Sequence, residues 1–95
     1  MKSLRERLKE KVPPEEEFEG AITLGEPAIK QGTWLTTPLW NQFAWGITLK
    51  RANLQWQDFM EAYGNSKYSF IRWSRGEESW KDAMDDFIDQ IVRIR

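Results

Sequence analysis

Leu54-Gln55-Trp56-Gln57-Asp58-Phe59-Met60-Glu61-Ala62-Tyr63-Gly64-Asn65-Ser66-Lys67-Tyr68-Ser69-Phe70-Ile71-Arg72-Trp73-Ser74-Arg75-Gly76 is the stretch on which the reading of this chain turns. Phe59, Ala62 and Tyr63 recur at helical spacing, which predicts a helix from about Gln55 to Tyr63. Gly64 is expected to stop it, because glycine accepts the left-handed backbone found just past helix ends. Ser66 can then cap a further helix, covering Lys67 to about Ser74, by accepting a bond from a free amide. Phe70 and Trp73 share one face of that helix, which leaves Lys67, Tyr68 and Ser69 as a polar first turn. Two short helices held at a steep angle by a glycine turn are the expectation.

Working outward, Thr37-Pro38 reads as a helix start, a capping hydroxyl followed by proline at the first helical position. That helix would carry Leu39, Trp40, Phe43 and Ile47 and end near Asn53, a residue type that tolerates left-handed backbone. After the central stretch, Ser79 opens a final helix whose Trp80, Met84, Phe87, Ile91 and Ile94 are spaced 4-3-4-3. Before it, Leu4 and Leu8 make a short amphipathic helix that Pro13-Pro14 stop. Glu15 to Glu17 read as an acidic spacer. Residues 18–36 hold Gly20, Gly25, Gly32 and Pro27 between short apolar runs, which reads as an extended arm or weak hairpin. The predicted fold is mainly α: an irregular or short-β N-terminal arm over residues 1–36, then a helix-turn-helix domain of about four helices over 37–95 with a long C-terminal helix.

Composition narrows the chemistry. The 95 residues include no cysteine and no histidine, which removes disulfides, His/Cys zinc sites, serine-histidine triads and imidazole acid–base catalysis. No apolar run approaches the roughly 18 residues of a membrane span, and Met1-Lys2-Ser3-Leu4-Arg5 does not read as a signal peptide, so a cytoplasmic location is expected. The formal net charge is −1. Its distribution is uneven. Residues 47–76 hold Lys50, Arg51, Lys67, Arg72 and Arg75 against Asp58 and Glu61, whereas residues 77–95 hold six acids against Lys81, Arg93 and Arg95. A basic centre of net +3 therefore lies beside an acidic end of net −3.

The 54–76 stretch resembles the lambda-repressor-like (XRE-class) helix-turn-helix family, whose members often run Leu-Thr-Gln, then Leu-Gly-Val-Ser, then Ile-Ser-Arg-Trp-Glu-Arg-Gly. Leu54, Phe59, Ala62, Gly64, Ser66, Phe70, Arg72, Trp73, Arg75 and Gly76 fall on matching positions without a gap. Trp56, Met60 and Asn65 depart from the pattern. The resemblance implies sequence-specific binding of double-stranded DNA by a small regulator of phage or bacterial kind, repressor-like, with no cofactor and no reaction. In such a domain the second helix enters the major groove, so Ser66, Lys67, Tyr68 and Ser69 would approach base edges. Arg72 and Arg75 would hold phosphates or stabilise the helix end, with Lys50, Arg51 and Gln55 adding backbone contacts. Symmetric dimers commonly read paired half-sites, so Phe87, Ile91 and Ile94 are candidates for a dimer seam; the competing expectation is that this stripe covers the N-terminal arm. The rival function is a protein-interaction module on the same scaffold, an assembly factor or antitoxin-like partner, without DNA binding.

Two other signals carry less. Asp82, Asp85, Asp86 and Asp89 share a helical face and mimic a magnesium motif, but a chain this short cannot build the deep cavity such enzymes need. Trp34, Trp40, Trp45 and Trp56 can stack bases, yet at these spacings they read better as core and interface residues.

Overall fold

Ser3 starts the first helix. Its hydroxyl accepts the Glu6 amide at 3.2 Å while the Glu6 carboxylate accepts the Ser3 amide, so two otherwise free donors are satisfied together. In the computed structural model, which describes residues 1–95, this helix, α1, spans Leu4–Glu10. A 3-10 turn at Glu15–Phe18 follows, then α2 (Glu19–Leu24), α3 (Glu26–Gln31), α4 (Thr33–Asn41), α5 (Ala44–Arg51), α6 (Trp56–Ser74) and α7 (Trp80–Ile94). The architecture is mainly α, with seven helices where four were expected and no strand.

The N-terminal third differs most from its expected form. Residues 18–36 make short helices instead of a hairpin, because Gly25 and Gly32 (φ 92° each) act as helix ends. Gly32, Leu35, Thr36 and Leu39, at i, i+3, i+4 and i+7, are buried together, a spacing a strand would not produce. Gly32 also has a packing role: a Cβ there would lie 2.6 Å from the Tyr63 ring. Pro38 is not a first helical residue. It lies inside α4, which begins at Thr33 directly after the Gly32 bend.

The central correction concerns Gly64. No turn forms there, and α6 runs unbroken for 19 residues from Trp56 to Ser74. Phe59, Ala62, Tyr63, Ser66, Phe70 and Trp73 continue one buried stripe straight past the glycine. Interrupting it would expose aromatic side chains whose burial contributes about 1.5–3 kcal/mol each, against about 1 kcal/mol for a glycine inside a helix. Burial wins. Ser66 does not cap; its hydroxyl bonds back to the carbonyls of Ala62 (3.0 Å) and Tyr63 (3.2 Å) within the same helix.

The helix expected from Thr37 to about Asn53 is instead two, α4 and α5, with Gln42 and Phe43 between them, and Ile47 is exposed. Three local expectations hold. Asn53 takes left-handed backbone (φ 63°) just past α5, and Ser79 caps α7 by accepting the Asp82 amide at 3.0 Å. Trp73 is buried.

One core joins all seven helices, and Leu8, Phe18, Ala21, Ile29 and Leu35 of the first 36 residues belong to it. Phe87 lies at its centre, with ring centroids 5.2–5.8 Å from Trp45, Phe59, Tyr63 and Phe70. The α7 stripe is therefore not a dimer seam. Phe87 and Ile91 are fully buried within the chain, and Ile94 packs partly against the same core. The N-terminal segment covers part of this stripe, with α1 lying against α7 and Arg5 paired to Asp89 at 3.0 Å.

Candidate functional site

Four aromatic side chains fix the N-terminal segment through their polar ends. Trp45 donates to the Leu8 carbonyl at 3.1 Å, Trp80 to Pro13 at 2.8 Å, and Tyr63 to Ile29 at 2.8 Å. Trp73 donates to the Glu15 carboxylate at 2.6 Å. Each ring packs in the core while its N–H or O–H reaches a polar group of the N-terminal segment. Burial pushes the Tyr63 phenol well above its ordinary pKa.

The residues expected to read DNA do not converge on one surface. Ser66 and Ser69 are buried, because both project to the core side of the continuous α6. Ser69 donates to Asp86 at 3.1 Å and accepts from Arg72, also at 3.1 Å, which ties α6 to α7. Arg72 further pairs with Glu78 at 2.9 Å, and Arg75 pairs with Glu26 on α3. The hydrogen bond from Arg75 holds the Glu26 carboxyl below the usual carboxylate range, and Glu26 in turn raises Arg75. Lys67 is half-buried, its ammonium 5.7 Å from the ring of Tyr68, and Tyr68 points outward at 62% exposure.

Lys50, Arg51 and Gln55 do stay together, exposed around the bend between α5 and α6. Lys50 donates to the Trp40 carbonyl at 2.9 Å and sits 5.2 Å from that indole's centre. Trp56 meets Trp40 edge-on at 5.5 Å, so this corner combines two bases with two half-covered indoles. The +3 of the central segment thus leaves Lys50, Arg51 and Lys67 outside ion pairs, since Arg72 and Arg75 are engaged.

A second surface feature escaped the sequence reading. Thr33, Trp34, Thr37, Pro38 and Gln42 line a shallow open groove of about 320 Å³ along α4. Trp34 is 55% exposed. Pro38, four residues after Trp34, has no N–H to give the Trp34 carbonyl, so the helix lacks one bond beside the groove. No charged residue lines it. The signal was a tryptophan and a proline at i and i+4; reading Thr37-Pro38 as a helix start separated the two onto different elements.

No three carboxylates gather closely enough to hold a metal ion, and no helix is long and apolar enough to cross a membrane. No protein family, curated protein or solved structure matches the chain.

Proposed function

We propose that this chain is a non-catalytic protein-interaction module of the cytoplasm, one that docks an extended segment of another protein in the Trp34 groove. The observation that carries the reading is the groove's lining: an exposed indole, a proline ring, two threonine hydroxyls and one amide, without charge. Indole and proline faces suit aliphatic or proline side chains, and hydroxyl and amide groups suit peptide hydrogen bonds. Phosphate would find no cation there. The groove is too open to enclose a small molecule, which ordinarily loses most of its surface to a pocket.

A second reading, binding of double-stranded DNA, draws support from the exposed Lys50, Arg51 and Gln55 beside Trp56. It would rest on backbone contacts at the α5–α6 corner and not on a recognition helix.

One pair of measurements separates the two. A photoreactive group at Thr37 should give discrete protein adducts in cells that lose intensity with Trp34→Ala, whereas the same group at Lys9 should not. Duplex titrations over a series of salt concentrations from about 50 mM upward should show no steep salt dependence. Absence of Trp34-dependent adducts, together with duplex binding that Lys50→Ala and Arg51→Ala abolish, would transfer the assignment to DNA.

A further inference from the structure

From Pro27 to Gln57 the chain carries no Asp or Glu, although it holds 15 of them elsewhere. That stretch makes nearly all of α3, then α4 and α5, which pack in succession, and the start of α6. α7, which bears Asp82, Asp85, Asp86 and Asp89, packs instead on α6 and α1. Charge is therefore segregated across the molecule, and α4 and α5 present cations without any acid of their own.

The exposed apolar surface follows the same division. Ile47 is 52% exposed and Trp56 38% exposed, with the half-buried Trp40 beside it. Ile47, Lys50 and Arg51 stand at i, i+3 and i+4, so they share the outer face of α5. Lys50 reaches across to Trp40, which in turn meets Trp56, so these five side chains form one continuous corner. Neither cation is in an ion pair. Asp58, the first acid after this stretch, lies two residues beyond Trp56 and hence on the other flank of α6. Trp45, Trp73 and Trp80 donate their indole N–H within the chain, whereas Trp56 does not. A free indole N–H, an exposed aliphatic side chain and two long cationic ones suit a bilayer interface. There the ring and methyl groups enter while the charged heads stay among the phosphates. A nucleic-acid strand fits less well, because it stacks bases on successive free ring faces. Trp40 has Lys50 over its ring and Phe59 at 4.9 Å, which leaves only Trp56, and Ile47 offers a base no π face.

We infer that this corner of α4, α5 and α6 is a peripheral docking surface for an anionic lipid bilayer. Ile47 and Trp56 enter the interface, and Lys50 and Arg51 meet the lipid phosphates. Attachment of this kind is shallow and reversible and needs no membrane-spanning helix. The corner lies apart from the Trp34 groove, since Trp34 and Trp40 stand about a third of a turn apart around α4. The inference therefore holds whether or not that groove takes a partner segment.

Co-sedimentation of the full chain with vesicles tests it, using roughly 30% phosphatidylglycerol in phosphatidylcholine at low salt. The chain should bind these vesicles, bind far less to pure phosphatidylcholine, and be released as salt rises. Arg51→Gln should weaken binding about fivefold, the share of one cation at an anionic surface. Ile47→Ser should weaken it by at least about threefold. Both positions are exposed, and circular dichroism should show both variants folded. Lys9→Gln, which removes an exposed cation of α1, should bind like the parent. No binding to the anionic vesicles overturns the inference. So does an Ile47→Ser variant that binds like the parent, or a loss with Lys9→Gln equal to that with Arg51→Gln. Loss of vesicle binding with Trp34→Ala would move the contact to the groove and also overturn it. Binding of single-stranded oligothymidylate that requires Arg51, without vesicle binding, would assign the corner to nucleic acid instead.

Discussion

The indole N–H of Trp80 donates to the carbonyl of Pro13 at 2.8 Å, joining the first turn of α7 to a backbone group 67 residues earlier. Pro13 is buried, so that carbonyl has no water to turn to. The bond explains how a segment with almost no long helix of its own is held in register on the core. It also makes the segment's attachment measurable.

Trp80→Phe keeps an aromatic ring beside Phe18, Phe70 and Trp73 but removes the donor. An unsatisfied buried carbonyl should cost about 1–3 kcal/mol in urea unfolding. Trp34→Phe, on the exposed groove, should change stability by less than about 0.5 kcal/mol. Equal midpoints for the two variants would contradict the indole's clamping role.

Ile91→Asp addresses the α7 stripe. Ile91 is fully buried among residues of the same chain, so a carboxylate there should destabilise the fold by about 3 kcal/mol or more. A variant of unchanged stability that merely sediments as a lighter species would return Ile91 to an intermolecular seam.

Tyr63 predicts an alkaline limit to stability. Its phenol is held protonated by burial, above the ordinary value of about 10. Because the unfolded chain ionises more readily, the contribution is fully present below pH about 10 and is lost as pH rises further. Absorbance at alkaline pH should show Tyr63 ionising only as the protein opens. Tyr63→Phe should remove that pH dependence and lower stability at neutral pH by about 1 kcal/mol, through loss of the bond to Ile29. Ionisation of Tyr63 near pH 10 in protein that is still folded would contradict this.

The legible parts of the fold were those in which one physical cue decided the local structure. The 4-3-4-3 spacing after Ser79 specified α7, and Asn53 marked the end of α5 through its own backbone preference. At Gly64 two cues competed. Glycine is a strong local stop signal, but the apolar stripe continues in phase across it, and the energy of that stripe can be weighed only once Phe87 is known to lie opposite. Residues 18–36 were obscure because their helices have six to nine residues each, too short for a period to show. Of the candidate site, Lys50, Arg51 and Gln55 remained together because they adjoin one bend. Ser66 and Ser69 did not, since their burial follows from the helical phase of a single α6 and not of two helices.

The continuity of α6 through Gly64 is the claim that replaces the expected helix-turn-helix, and Gly64→Ala tests it most directly. An exposed position inside a helix, with nothing within 4 Å of the new Cβ, predicts stabilisation by about 0.5–1 kcal/mol in urea unfolding of dilute protein. Gly32→Ala, at φ 92° and against the Tyr63 ring, should instead destabilise by more than about 1 kcal/mol. Loss of stability in Gly64→Ala, as a left-handed turn at that residue would produce, would contradict the account.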